Sequence, residues 1–464
     1  MTDAECDELE RAIEQMMEIA RRFGLDHFDM RFEIVPSDIL YTFGAYQGMP
    51  THFSHWSFGK SFHRLKMDYD LGLSRIYELV INSDPCYAFL LDSNSLVQNK
   101  LVSAHVLAHC DFFKHNSRFR GTSRTMVDSM AASAERFHAY EREYGLTAVE
   151  EFLDSALALH EHIEPYRKRV RDKPSANREE SRRVKPRGEY DDLFALDGRL
   201  ERGEPDKADQ GRQGGGRAAR LPRDELEKDL LLYLVTHSRI MKEWQRDILT
   251  VLREEMLYFW PQIDTKIMNE GWATYWHTKF MQEMDLTGED AIEFAKLTAN
   301  VSQTNRFHLN PYNVGLAIWN DIRNRYGEDE MFIARESDSD TSFLRNYLTQ
   351  EIVDECDLYL YEKRDNEWVV VEKDVKVIRD VLVRQRVHAG FPTFDVSLRD
   401  DDGRAVLTLT HAYEGTELDE GYVRKTLPHV HRLWGGQVSV ITVVEGQLVE
   451  YVYDGSSTTL VHAS

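Results

Sequence analysis

"SAHVLAHCDFFKHN", residues 103–116, decides how the rest of the chain is read. Apolar residues recur through it at helical spacing. His105 and His109 stand four apart, so one face of the helix carries two imidazoles that can approach a single cation. The hydrolytic version of this spacing, H-E-x-x-H, has a glutamate directly after the first histidine to take a proton from metal-bound water. Val106 holds that place here and cannot do so. Three readings stay open: an enzyme using another base, a metal site without catalysis, or two histidines satisfied in a core.

Upstream, Ser93 or Ser95 can cap the histidine helix. "PCYAFLLD" (85–92), short, apolar and bounded by proline, reads as a strand. In helical zinc peptidases a strand edge precedes the histidine helix and can hold an extended substrate, and this strand occupies that place. A third ligand must come from another segment. In "MNEGWATYWH" (268–277), Glu270 and His277 are seven apart, two turns along one helical face. Asn269 and Trp276 share the next stripe round. His105, His109 and Glu270 together make His₂Glu, the ligand set of open catalytic zinc sites. A divalent metal, zinc first, is the expected cofactor. His277 can be a fourth ligand, an orienting group or an acid–base group. With Val106 excluded, the candidate bases are His277, Asp111, His115 and Glu78, in that order.

Two other groups can line a substrate pocket. "THFSHWSFGKSFHR" (51–64) places His52, His55, Trp56 and Lys60 close together, as a pocket wall or as a packed aromatic loop with hydrogen-bonded histidines. "RFHLNPYNVG" (306–315) sets Asn310, Tyr312 and Asn313 at a turn into a helix; capping explains one asparagine and leaves the others for substrate. His429 and His431 alternate, share no helical face and read as non-ligands. There is no phosphate loop, dinucleotide fingerprint or serine elbow.

The 464 residues allow two or three domains. An amphipathic helix spans 5–23 and ends at Gly24, and 36–62 reads as irregular but packed. Helices follow at about 123–143 and 147–168. Residues 171–222 are charged, nearly free of large apolar side chains and read as a disordered insert. One long helical pattern covers 224–260 and is ended or kinked by Pro261. Further helices cover 264–284, with Gly271 inside, and 291–304 and 310–327. An interior glycine weakens a helix, and close backbone packing is one reason to tolerate it. After about residue 355, two stretches, 374–409 and 419–453, each read helix, glycine, strand, tight turn, strand. The expected architecture is α+β: a mainly helical, zincin-like (gluzincin-like) body with a short N-terminal strand region, and a small C-terminal α+β domain of two helix–hairpin units. The domain limits that follow are 1–170 and 223–350 for the two parts of the body, with the insert between them, and 356–464 for the C-terminal domain.

The formal net charge of −23 disfavours nucleic acid as a partner. It fits halophilic life in a salt-rich cytoplasm, where repulsion is screened, and equally fits a merely acidic cytosolic protein. The four cysteines form no C-x-x-C pair, and reduced thiols are expected. The N-terminus is charged and amphipathic, unlike a signal peptide, and no apolar run approaches membrane-spanning length. A cytoplasmic protein without a membrane partner is the expectation.

"HFSHWSFGKSF", "ELVINSDPCYAFLLDSNS", "AHVLAHCDFF", "MNEGWATYWH" and "NPYNVGLAIWNDI", in this order, resemble the SpoVR family, named for stage V sporulation protein R. The match runs through both helical segments, and the C-terminal part looks like the family's C-terminal domain. The charged insert departs from the pattern, and His115 stands where a polar, asparagine-like residue is expected. The resemblance implies a cytoplasmic protein linked to spore cortex formation in spore-formers and to stress or nutrient response elsewhere. It also implies partnership with a PrkA-type serine protein kinase and a von Willebrand A-like protein. The family's chemistry is not securely defined, so the metal site rests on the residues themselves.

Overall fold

The computed structural model describes residues 1–70, 78–166, 227–304, 308–365, 367–401 and 403–462; the insert expected at 171–222 lies outside the described residues. The N-terminal part comprises α1 (Asp3–Arg22), β1 (Met30–Val35), α2 (Ser37–Ala45), α3 (Trp56–Asp70), β2 (Glu78–Ile81), β3 (Cys86–Leu91), α4 (Leu96–His115), α5 (Met126–Tyr144) and α6 (Leu146–Leu157). Helices continue as α7 (Leu230–His237), α8 (Glu243–Asp264), α9 (Lys266–Glu283), α10 (Gly288–Val301), α11 (Pro311–Tyr326), α12 (Glu328–Ser337), α13 (Asp340–Tyr347) and α14 (Gln350–Glu355). The C-terminal part holds β4 (Leu360–Arg364), β5 (Glu367–Glu372), α15 (Val375–Arg384), β6 (Phe394–Asp401), β7 (Arg404–His411), α16 (Glu420–Trp434), β8 (Val438–Val444), β9 (Gln447–Tyr453) and β10 (Thr458–His462). The protein is thus mixed α+β, mainly helical, with a C-terminal sheet domain.

Ser95 caps α4 in a capping box with Gln98. From Asn99 to Phe113 every residue of α4 is buried, and so is every residue of α9 from Ile267 to His277. Helices buried all round have no solvent stripe, so their polar residues must find partners inside. α9 packs against α4 on one side and α11 on the other. A Cβ on Gly271 would overlap the backbone of Gly315, and a Cβ on Gly315 would overlap Ile267 O. The tolerated glycine therefore marks a crossing where two backbones touch. Asp340 closes the start of α9 by accepting from Ile267 N at 2.8 Å and Met268 N at 3.0 Å.

Several expectations change. Residues 36–62 are not irregular: α2 begins just after Pro36, whose missing N–H costs nothing there, and α3 begins at Trp56. The punctuation falls between them, at Gly48 (φ +96°) and Pro50. The helix expected to reach 168 ends at Leu157. The long pattern at 224–260 is two helices, broken at Ser238–Lys242 and not at Pro261, which α8 runs through. The break is stabilised by the Arg246 guanidinium, which donates to the carbonyls of Val235 and Ser238 at the end of α7. β3 is the central strand of its sheet, parallel to β1 and antiparallel to β2, so it offers no free edge to a substrate.

The C-terminal sheet has the order β10-β9-β8-β7-β6, with β7 and β8 parallel and the other pairs antiparallel. Glu445 (φ +50°) and Gly446 (φ +76°) make the tight turn from β8 to β9. Leu427, Val430 and Leu433 of α16 pack with Val438, Val440 and Tyr451 of the sheet, in one core with Trp244 and Trp260 of α8. The two helix–hairpin units are not equivalent. Ile378 and Val383 of α15 join the α4–α9–α11 core, beside Phe343 and Leu344 of α13.

Two measurements follow. Gly271→Ala and Gly315→Ala should each lower unfolding free energy by about 1–3 kcal/mol or more, as overpacking does. Gly59→Ala, where nothing lies within 4 Å, should not. His162 packs on Phe394 with ring centroids 5.3 Å apart, and burial, then the charge of His388, lowers its pKa to about 4. A histidine depressed by folding adds stability above its unfolded value near 6.5, and that stability is lost as pH falls through 4. The ring is partly exposed, so the loss is discounted to about 2 kcal/mol. Denaturant melts at pH 7 and pH 4 should show it, and His162→Gln should flatten the dependence.

Candidate metal centre

The crossing of α4 and α9 brings the expected ligands together. Nε2 of His105 and Nε2 of His109 each stand 3.4 Å from one oxygen, Glu270 Oε2. The ligand atoms of all three lie within 4.8 Å of one another, and all three residues are buried. Ligands about 2.1 Å from a tetrahedral zinc stand about 3.4 Å apart, so the spacing fits one ion. Lys266, one turn before Glu270, donates to Oε1 at 2.6 Å and leaves Oε2 to the imidazoles.

The protons sharpen the fit. His109 Nδ1 donates to Asn269 Oδ1 at 2.8 Å, which fixes the ring and turns a bare Nε2 toward a carboxylate oxygen. Lone pair facing lone pair is reconciled only by a cation between them, a second proton or a metal ion. His105 Nδ1 and His277 Nδ1 are 2.9 Å apart and share one proton. When His105 offers Nε2 as a ligand, its proton is on Nδ1, so His277 accepts and keeps its own proton on Nε2. That Nε2 is buried and has no partner among the described residues.

Burial, then the charge of His109, lowers the His105 pKa to about 4. Burial, then the two neighbouring imidazoles, drives His277 well below the ordinary histidine range. Burial alone would raise Glu270, but the two facing imidazoles, His105 and His109, and the charge of Lys266 outweigh it and hold the carboxyl well down. His105 and Glu270 are thus held in ligating form, neutral imidazole and carboxylate.

Asp111 is not brought to this cluster. Both its oxygens accept from Arg335 Nη1, at 2.9 and 2.8 Å, while Trp272 Nε1 donates to Oδ2 at 3.0 Å and Asp26 N to Oδ1 at 2.9 Å. A carboxylate so saturated serves as a structural anchor, which corrects its place among the bases. His115 contacts Asp26 O at 3.0 Å at the surface, and Glu78 opens β2; neither joins the ligands. Val106 is buried with Leu9, Ile13, Ala88 and Leu90, on the face of α4 turned to α1 and β3.

The His52 group lies elsewhere, in the second core. His52 Nε2 pairs with Glu255 Oε1 at 2.6 Å. His55 bonds Ser57 Oγ at 2.7 Å and Asp154 Oδ1 at 3.1 Å, and Trp56 Nε1 donates to the same Asp154 oxygen at 2.7 Å. Lys60 is exposed. His52 and His55 hold an aromatic layer with Phe53 and Phe58, and none of the four expected residues lines the cavity next to the candidate metal cluster. Of the third group, Tyr312 does: its ring stacks on His105 at 5.9 Å. Asn310 lines the same cavity, but its oxygen accepts from Tyr312 N and its nitrogen donates to Val301 O and Gln303 O, the work of a cap. Asn313 follows on α11 and is half-buried.

Sequence reading missed Lys266, although its i, i+4 spacing to Glu270 was visible. It also missed the cavity wall from α10, which no motif marks.

A family model described as "SpoVR like protein" matches residues 3–391, and one described as "SpoVR-like C-terminal domain" matches residues 392–445. The chain belongs to the SpoVR family. It is 29% identical over 475 residues to "Uncharacterized protein YcgB" of Escherichia coli (strain K12), covering 93% of this chain and 91% of that one. No solved structure matches. The boundary between the two family models follows α15, the helix that packs into the α4–α9–α11 core. Among the described residues no helix is long and apolar enough to cross a membrane.

Proposed function

We propose that this SpoVR-family chain is a divalent-metal protein, zinc being the first candidate, with a hydrolase-like centre acting on a peptide or amide. The observation that carries the reading is the convergence of two buried imidazole nitrogens on one carboxylate oxygen at tetrahedral ligand spacing. A bound ion would polarise a carbonyl and lower the pKa of water. His105, His109 and Glu270 would hold it, Asn269 would orient His109, and His277, through its Nε2, would hold or pass a proton. The histidine helix facing a glutamate helix supports a zincin-like body, although β3 has no free edge. Family membership supports a role in sporulation or stress response.

A second reading is a non-catalytic scaffold or signalling protein whose C-terminal domain docks a PrkA-type serine kinase. Val106, locked in an apolar cluster where the usual base would stand, favours it.

Elemental analysis of freshly purified protein should find about one equivalent of zinc, iron or manganese per chain, and His105→Ala and Glu270→Gln should lose it. Substoichiometric metal, unchanged in His105→Ala, removes the metal centre. Kinase recovery on immobilised protein tests the scaffold. Leu448 of β9 and Leu460 of β10 are 51% and 45% exposed, so glutamate there spares the core. The double variant should lose most of the kinase if the sheet domain docks it, and undiminished recovery argues against docking there.

A further inference from the structure

We infer that Lys266 is a positioning residue: it holds Glu270 to ligation through a single oxygen and so leaves a divalent ion in this centre a place for one further small ligand. The inference deepens the proposed function and rests on it for the presence of the ion.

Carboxylates bind metal ions through one oxygen or through both. The two oxygens of Glu270 are turned to different partners. Oε2 stands 3.4 Å from Nε2 of His105 and 3.4 Å from Nε2 of His109. Oε1 accepts from Lys266 Nζ at 2.6 Å, a short, charge-assisted bond. Turning Oε1 onto the ion as well would break that bond and leave the ammonium facing a divalent cation. Ligation by Oε2 alone keeps the bond. The three residues then supply three atoms, one fewer than tetrahedral zinc takes. Among the described residues no fourth histidine, cysteine or carboxylate joins the group.

The place of Lys266 in the chain argues against a role in stabilising the helix. It is the first residue of α9, where the helix macrodipole favours an anion over a cation. Asp340 does that work, accepting from Ile267 N and Met268 N. At i, i+4 the order lysine then glutamate is also the weaker of the two. What the lysine does reach is one chosen oxygen of a buried ligand. Its side chain is 52% exposed and that of Glu270 9%, so the ammonium acts on the centre from the surface side.

The test loads the full-length protein with cobalt(II), whose visible absorbance reports coordination geometry, and titrates it with imidazole. Imidazole is a neutral donor, so a charge lost at Lys266 does not act on it directly. Wild type should show the intense bands of a four-coordinate ion and should bind imidazole. Lys266→Met frees Oε1 for the ion. It should weaken the bands and bind imidazole at least about tenfold more weakly, while holding zinc no less tightly against a competing chelator. Lys266→Arg keeps a cation on Oε1 and should behave as wild type. Lys266→Leu is a second neutral variant in case Lys266→Met does not fold, with thermal melts as the check. A lysine that merely supports a ligand predicts the opposite, about 10–100-fold loss of zinc with unchanged bands. That result overturns the inference and leaves the metal centre standing. So does unchanged imidazole affinity in the neutral variants, or a wild type that binds cobalt and no imidazole. A wild type that takes up neither cobalt nor zinc removes the proposed centre and the role of Lys266 with it.

Discussion

α9 has no water on any side between Ile267 and His277, and the contact of Gly271 with Gly315 is what lets it lie there. With a methyl group at either position the helices α9 and α11 would stand apart, and α9 could not meet α4 at its present depth. The glycine costs helix stability locally, and the packing of Trp272 on Trp319 and the bond from Trp319 Nε1 to Met268 O offset it. Every polar side chain on α9 and on the facing turns of α4 is then committed to a partner inside the protein or left without one.

That constraint sorts the buried polar residues into two kinds. Asp111 has both carboxylate oxygens satisfied by short bonds from Arg335 and Trp272, an arrangement that fixes α12 against α4. His105, His109, Glu270 and His277 form an open set. A bare imidazole nitrogen faces a carboxylate, and a ring nitrogen lacks any partner among the described residues. Saturated networks hold folds, whereas an imidazole nitrogen facing a carboxylate with no proton assigned between them calls for a cation to complete it. The two histidine-bearing clusters that look alike in sequence separate on geometry: His52 pairs with Glu255 and His55 with Asp154, whereas His105 and His109 converge on one oxygen of Glu270.

The cavity extends the same logic to the outer side of the open set. A chain with 80 acidic residues keeps all of them off the described wall of a site that touches its most buried imidazoles.

Much of the centre was legible in advance, because helical periodicity converts spacing into shared faces: His105 with His109, and Glu270 with His277. The helix starts at Ser95 and Pro311 and the Glu445–Gly446 turn were local signals as well, each set by one residue's backbone or capping chemistry. Segments whose fate depended on distant partners were misread. Pro261 was tolerated inside α8, the break moved to where Arg246 reaches back to α7, and β3 lost its expected open edge to β1 and β2. The sequence by itself determined which residues could be ligands and on which faces they stood, since those follow from a period of 3.6. Tertiary structure alone decided that Glu270 meets His105 and His109, that Asp111 is spent on Arg335, and that Tyr312 stacks on His105 beside the neighbouring cavity. These depend on which helices pack together, a choice made by side chains far apart in the chain.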